Sequence, residues 1–159
     1  MKKITPFLWF NKNAEEAMEF YISIFPDSKI LDVSRIPVDN PSGKAGEVMT
    51  GSFRIAGQEF MVINGGPYFQ FNEAVSFVVD CEDQTEIDRF WNVLTADGGE
   101  PGQCGWLKDK FGLSWQIVPK ALPDYLGGSD PAGAKRAMEA LLKMGKIEVA
   151  TLKRAYEGK

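Results

Sequence analysis

The same apolar helical stripe occurs twice in this chain, with the same neighbours in the same order. Ala17, Phe20, Tyr21 and Ile24 stand at i, i+3, i+4 and i+7; Ile87, Phe90, Trp91 and Leu94 repeat that spacing 70 residues on. Each set forms one face of a helix. Asn13 and Asp83 sit just ahead of the stripes, at positions suited to N-caps. A strand-like run leads into each helix, over residues 4–10 and 74–80, and further strand-like runs follow at 29–36, 47–55 and 58–64, then at 103–108 and 113–118. The closing runs match as well: Gly57-Gln58-Glu59-Phe60-Met61-Val62-Ile63 corresponds to Gly112-Leu113-Ser114-Trp115-Gln116-Ile117-Val118, offset by 55. The offset shrinks because the first half carries a longer loop, around Pro37 to Gly46, and loops absorb such differences. A helix, strands and a turn glycine recurring in one order predict an internal β-α-β-β-β repeat.

The repeat defines an α+β chain with a first module over residues 1–67, a second over 68–119 and a helical tail over 120–159, together forming one compact domain. Gly65-Gly66-Pro67 closes the first module. In the tail, Asp130 before Pro131 is a cap followed by a first-turn proline. Ala137, Leu141, Leu142 and Met144 form one apolar face and residues 147–156 another, which suits a helical cover or a dimer contact. At 159 residues the chain is long enough to bury a core without disulfide or metal staples. Cys81 and Cys104 form no C-x-x-C pair and read as free thiols. The opening apolar run is too short for a signal-peptide core, and no stretch reaches membrane-spanning length. These features place the chain in the cytoplasm, without a membrane partner. A net charge of −4 and no basic stripe argue against nucleic acid.

Strand alternation separates two faces. Leu8 and Phe10 share one side of the first strand, Phe7 and Trp9 the other; Phe60, Val62, Trp115 and Ile117 share a side, with Glu59, Met61, Ser114, Gln116 and Val118 opposite. The apolar set suits packing beneath helices. The mixed set, with an aromatic ring, a thioether and an amide, suits either the wall of a small-molecule pocket or a filled core. The chain has no histidine. That removes Ser-His-Asp and Cys-His catalysis, imidazole metal sites and the side chain best suited to proton transfer near neutral pH. Cys104 and Trp106 fall on one face before the final hairpin; Asp109 and Lys110 open the turn into Gly112. Glu47, Glu59 and Glu73 are acid-base candidates that no spacing pairs.

Specific motifs carry a family resemblance. They are Phe20-Tyr21 with Phe25-Pro26-Asp27-Ser28, Asn64-Gly65-Gly66-Pro67, Cys104-Gly105-Trp106-Leu107-Lys108-Asp109-Lys110-Phe111-Gly112, Ser114-Trp115-Gln116-Ile117-Val118-Pro119, and Lys143-Met144-Gly145-Lys146-Ile147 in the tail. With these the chain resembles the vicinal oxygen chelate superfamily (glyoxalase I, extradiol dioxygenases, bleomycin-resistance proteins), and within it the PhnB-like, demethylubiquinone methyltransferase-like branch, over nearly its whole length. The resemblance implies paired βαβββ modules forming a cupped mixed sheet, usually in a homodimer. It also implies four inward ligand positions in metal-using members, which fall on Thr5, Met61, Ala74 and Gln116. Thr5, Met61 and Ala74 are poor ligands for a hard or borderline cation, and a neutral amide stands where metal-using members carry Glu. No metal site and no cofactor follow. The ligand-binding candidates are Phe7, Trp9, Met61, Ala74, Cys104, Trp106 and Gln116; catalytic residues are unassigned.

Four functions are compatible with these residues: a metal-free protein that binds or sequesters a small molecule; an enzyme using Glu47, Glu59 and Gln116 without a standard metal site; a methyltransferase, although no G-x-G-x-x-G motif is present; and a dimeric interaction module.

Overall fold

The computed structural model describes residues 2–159. The chain forms two compact units, the first ending at Phe71 and the second spanning Asn72–Lys159.

In the first unit, β1 (Phe7–Phe10) leads into α1 (Ala14–Ile24), then β2 (Lys29–Arg35), β3 (Val48–Ile55) and β4 (Gln58–Asn64). The sheet order is β1-β4-β3-β2. β1 runs parallel to β4, with Phe7 opposite Met61, and the other neighbours are antiparallel. In the second unit, β5 (Ser76–Cys81), α2 (Gln84–Thr95), β6 (Glu100–Pro101), β7 (Trp106–Lys108) and β8 (Ser114–Pro119) repeat the pattern in the order β5-β8-β7-β6, again with the outer pair β5-β8 parallel. The repeat is therefore one of topology as well as of sequence, and the fold is α+β with two four-stranded mixed sheets. Gly57 and Gly112, the matched turn glycines, have φ of 78° and 85°, a backbone region that a Cβ disfavours.

The predicted faces separate as alternation requires. Leu8, Phe10, Phe60 and Val62 are buried on the α1 side, and Trp115 and Ile117 on the α2 side. Ile87, Phe90, Trp91 and Leu94 are all buried on α2. On α1 the buried stripe is Ala14, Ala17, Met18, Tyr21 and Ile24, so Met18 takes the place predicted for Phe20, which is half-buried. Asn13 holds the N-cap position of α1 without a side-chain cap bond; Asn64 Oδ1 accepts from the Ala14 N–H instead, and Asn64 Nδ2 donates to the Val48 carbonyl. Asp83 caps α2 from its own side chain, accepting from the Glu86 N–H.

Strand starts differ from the sequence expectation. β5 begins at Ser76, two residues after Ala74, and β1 at Phe7, not Ile4. The two-residue β6 was not anticipated, because so short a run carries no alternation to detect.

The tail forms α3 (Leu122–Leu126), α4 (Pro131–Leu141) and α5 (Val149–Glu157). Asp130 caps α4 by accepting from the Ala132 N–H. Leu141, Met144, Ile147 and Leu152 form a buried cluster with Cys104 and Val118 packed against it. Leu142, predicted on the same face, is 64% exposed. The tail is tied to the second sheet by two backbone bonds, Cys104 N to Met144 O and Gly105 N to Gly145 O, both 2.8 Å. It is tied to α2 by the Gln84 amide, which donates to the Ile147 carbonyl and accepts from the Val149 N–H. Among the described residues no helix is long and apolar enough to cross a membrane.

Candidate functional site

In each unit one sheet face lies under a helix and the other is open, except that in the second unit the tail cluster packs on Val118 near the end of β8. The open face of the first sheet carries Phe7, Trp9 and Met61, which the parallel register sets side by side. Phe7 is 51% exposed, and Trp9 and Met61 are half-buried. Trp9 is also an anchor: its indole N–H donates to the Gly66 carbonyl at 3.0 Å, and its ring meets Phe69 edge-on at 4.9 Å. A Cβ on Gly65 would collide with that ring, so the Gly65-Gly66 pair lets the backbone close on the indole. At the loop end of this unit, a cleft of about 600 Å³ opens between Lys12, Asn64 and the residues 39–47 loop. Glu47 shapes that loop, accepting from the Lys44 N–H, and Glu59 is half-buried on β4.

The second unit holds the more pocket-like chemistry. Trp106, Lys108 and Ser114 line a cleft of about 240 Å³ together with Glu73, Glu100 and Gly102. The register puts Ser114 between Ser76 on β5 and Lys108 on β7. Lys108 forms an ion pair with Glu73, so this pair joins the flanks of Ser114. The hydrogen bond from Lys108 holds the Glu73 carboxyl below its ordinary range, and the same bond raises the Lys108 ammonium. Ser114 is 1% exposed, and its Oγ has no hydrogen-bond partner. One position along the face, Gln116 lies opposite Val78 and Trp106, and its amide donates to Ser76 Oγ at 3.0 Å.

Several candidates lie elsewhere. Ala74 is exposed in the turn before β5, where its N–H donates to Asn72 Oδ1. Glu73, an acid-base candidate without a partner in the sequence, lines the cleft; strand alternation does not place it because residues 72–75 are not in a strand. Cys104 precedes β7 with φ of 57°, which ends alternation there. Its thiol donates to the Leu141 carbonyl and packs on the tail cluster, away from the cleft that Trp106 lines. Asp109 is 2% exposed; Oδ1 accepts from the Phe111 and Leu113 N–H groups and Oδ2 from the Trp115 indole. It organises the β7–β8 turn, as its place in the sequence suggested. Both cysteines are free, and burial pushes the Cys81 thiol up to about 12. Ser114 and Lys108 were not singled out from the sequence. Ser114 was legible as an open-face residue, but that its hydroxyl is buried without a partner is a property of the tertiary structure.

The four carried-over ligand positions hold a hydroxyl, a thioether, a methyl group and an amide already donating to Ser76. That set does not fit a divalent cation. Among the described residues, no group of three or more His, Cys, Asp or Glu side chains is placed to hold one.

Comparison with known proteins places these features. The family described as 3-demethylubiquinone-9 3-methyltransferase matches residues 2–118. A Bacillus cereus PhnB protein, described with the same methyltransferase label, is 40% identical in sequence and superposes with a TM-score of 0.68, over 74% of this chain and 99% of its own. Protein PA1353 from Pseudomonas aeruginosa (19% identity, TM-score 0.61, 75% of this chain and 98% of its own) shares the fold. So does the fosfomycin resistance protein FosX from Listeria monocytogenes in complex with Mn(II) and sulfate (14% identity, TM-score 0.53, 80% and 97%). No curated protein matches the sequence. The family match, expected over nearly the whole chain, ends at residue 118 and leaves the tail outside it.

Proposed function

Since this chain belongs to the 3-demethylubiquinone-9 3-methyltransferase family, the PhnB-like branch of the vicinal oxygen chelate superfamily, we propose that it binds a small organic molecule on an open sheet face without recruiting the superfamily's metal. The observation that carries this reading is the donor set: Thr5, Met61, Ala74 and Gln116 stand at the ligand positions, and the Gln116 amide is engaged with Ser76. A metal-using relative needs carboxylate or imidazole donors there. Each unit offers a wall of its own, Phe7, Trp9 and Met61 in the first and Trp106 and Gln116 in the second, each mixing apolar surface with polar or polarisable groups as small-molecule sites do. Ala74 and Cys104 have a lesser part in this reading, one exposed in a turn and the other turned to the tail. Phe7 at 51% and Val78 at 55% exposure leave apolar area for a ligand or a second copy of the chain to cover, in keeping with a homodimer.

Methyl transfer is not part of this reading. Each sheet has a single parallel pair, and β1 runs into Asn11-Lys12-Asn13 where a nucleotide-type cofactor would call for a glycine-rich loop. The test is elemental analysis of protein purified without chelators, followed by a thermal-shift screen of small metabolites including S-adenosylmethionine, with light scattering for the oligomeric state. Less than about a tenth of an equivalent of metal, together with a stabilising metabolite, is the expected result. A stoichiometric metal, or S-adenosylmethionine alone stabilising the protein, overturns the reading.

A further inference from the structure

Resting on the small-molecule reading, we propose that the cleft over Ser114 is a subsite for a small organic ammonium, its N–H groups held by Ser114 Oγ and the Glu73 and Glu100 carboxylates, with Trp106 as its π wall. Two carboxylates face one ammonium, Lys108, in this cleft. Glu73 is paired with that lysine. Glu100, opposite Lys108 in the β6–β7 register, acts on that same ammonium through space and shares it with Glu73, so two carboxylates against one ammonium leave the cleft an excess negative charge. A carboxylate pair alone would be ordinary surface charge. The independent observation is Ser114: a residue 1% exposed that lines the cleft, with a buried hydroxyl that has no protein hydrogen-bond partner. Such a group is costly unless something else satisfies it.

A cation matches what is unfilled. An ammonium donates to Ser114 Oγ and to carboxylates, and it gains from an aromatic face such as that of Trp106. It can take the place of the Lys108 ammonium at Glu73, an exchange of one cation for another that leaves no carboxylate uncompensated. An anion would meet two carboxylates and would have to take Lys108 from Glu73. At about 240 Å³ the cleft suits a ligand of roughly eight heavy atoms, on the basis of about 30 Å³ for each water-sized group.

The test titrates the full-length protein with benzylammonium, benzyltrimethylammonium and the anionic control benzoate, using calorimetry and tryptophan fluorescence. Saturable binding of both cations, and not of benzoate, is expected. Glu100→Gln weakens both cations by about fivefold to tenfold, and Lys108→Gln, which removes the competing ammonium, strengthens them. Both positions are on the rim, so these variants keep the fold. Ser114→Ala weakens benzylammonium but spares benzyltrimethylammonium, which has no N–H to donate. Preferred binding of benzoate, or tighter cation binding by Glu100→Gln, overturns the proposal. Equal loss of both cations in Ser114→Ala removes the hydroxyl from the ammonium contact and overturns that assignment. If neither cation binds while a neutral metabolite stabilises the protein, the ammonium class is wrong and the small-molecule reading stands; if nothing binds, both fall.

Discussion

At the residue scale, burial decides which polar side chains matter. Asp109 is almost fully buried yet accepts from three donors, Phe111 N, Leu113 N and Trp115 Nε1. A buried carboxylate satisfied in this way is worth most when its loss strands its partners. Asp109→Ala is expected to destabilise the protein by about 2–4 kcal/mol, measured by denaturant unfolding. Cys81 and Cys104 differ for a related reason. Burial, reinforced by the neighbouring carboxylates of Glu86 and Asp80, raises the Cys81 thiol to about 12, whereas Cys104 is partly exposed. Iodoacetamide at pH 8 is expected to leave Cys81 unmodified in the folded protein and to label it after unfolding, as read by mass spectrometry. Because the raised thiol favours its protonated form in the fold, its contribution to stability is complete below the unfolded value of 9.0 and is lost as pH rises toward about 12.

At the scale of elements, the attachment of the tail to α2 depends on few groups. The Gln84 amide donates to the Ile147 carbonyl and to Asp88 Oδ1 and accepts from the Val149 N–H, and Asp88 also binds Lys146. Gln84→Ala leaves an N–H and a carbonyl without their partner, so faster amide hydrogen exchange across residues 144–157 is expected, with a stability loss of about 1–2 kcal/mol. The Lys146 hydrogen bond, and after it the one from Gln84, lowers the Asp88 carboxyl below its ordinary 3.8. Its contribution is therefore present above that value and lost as pH falls through the lowered one. Exchange in the tail should increase on acidification before α2 itself loosens; uniform protection down to global unfolding would contradict this. Helices α1 and α2 were legible from their periodicity because four apolar positions repeat over several turns. The cap of α1 was not, since Asn64 reaches Ala14 from a strand 50 residues away.

At the scale of the whole molecule, the tail stands out. The family match stops at residue 118, and the Bacillus cereus relative is covered almost completely by 74% of this chain. In this protein, however, the Cys104 and Gly105 N–H groups point at Met144 and Gly145, and Cys104 and Val118 pack on the tail cluster. Removing residues 121–159 is expected to cost about 2–4 kcal/mol through unpaired backbone donors and exposed apolar surface, seen as a lower melting temperature and earlier aggregation. An unchanged melting temperature would mean that the second unit repacks without its cover.

The duplicated βαβββ pattern, the buried stripes, the cap at Asp130 and the absence of imidazole follow from the sequence itself, because hydrophobic period, turn glycines and residue type are local properties. So does the open side of each sheet, which alternation assigned to Met61, Ser114 and Gln116 before any coordinates were needed. The pairing of Glu73 with Lys108, the unpaired Ser114 hydroxyl lining the same cleft and the turning of Cys104 away from Trp106 were decided only in three dimensions. Glu73 lies in a turn and Cys104 at a positive φ, where period-two alternation has no meaning, and the partner each side chain meets is set by strands and helices brought together from 35 or more residues away.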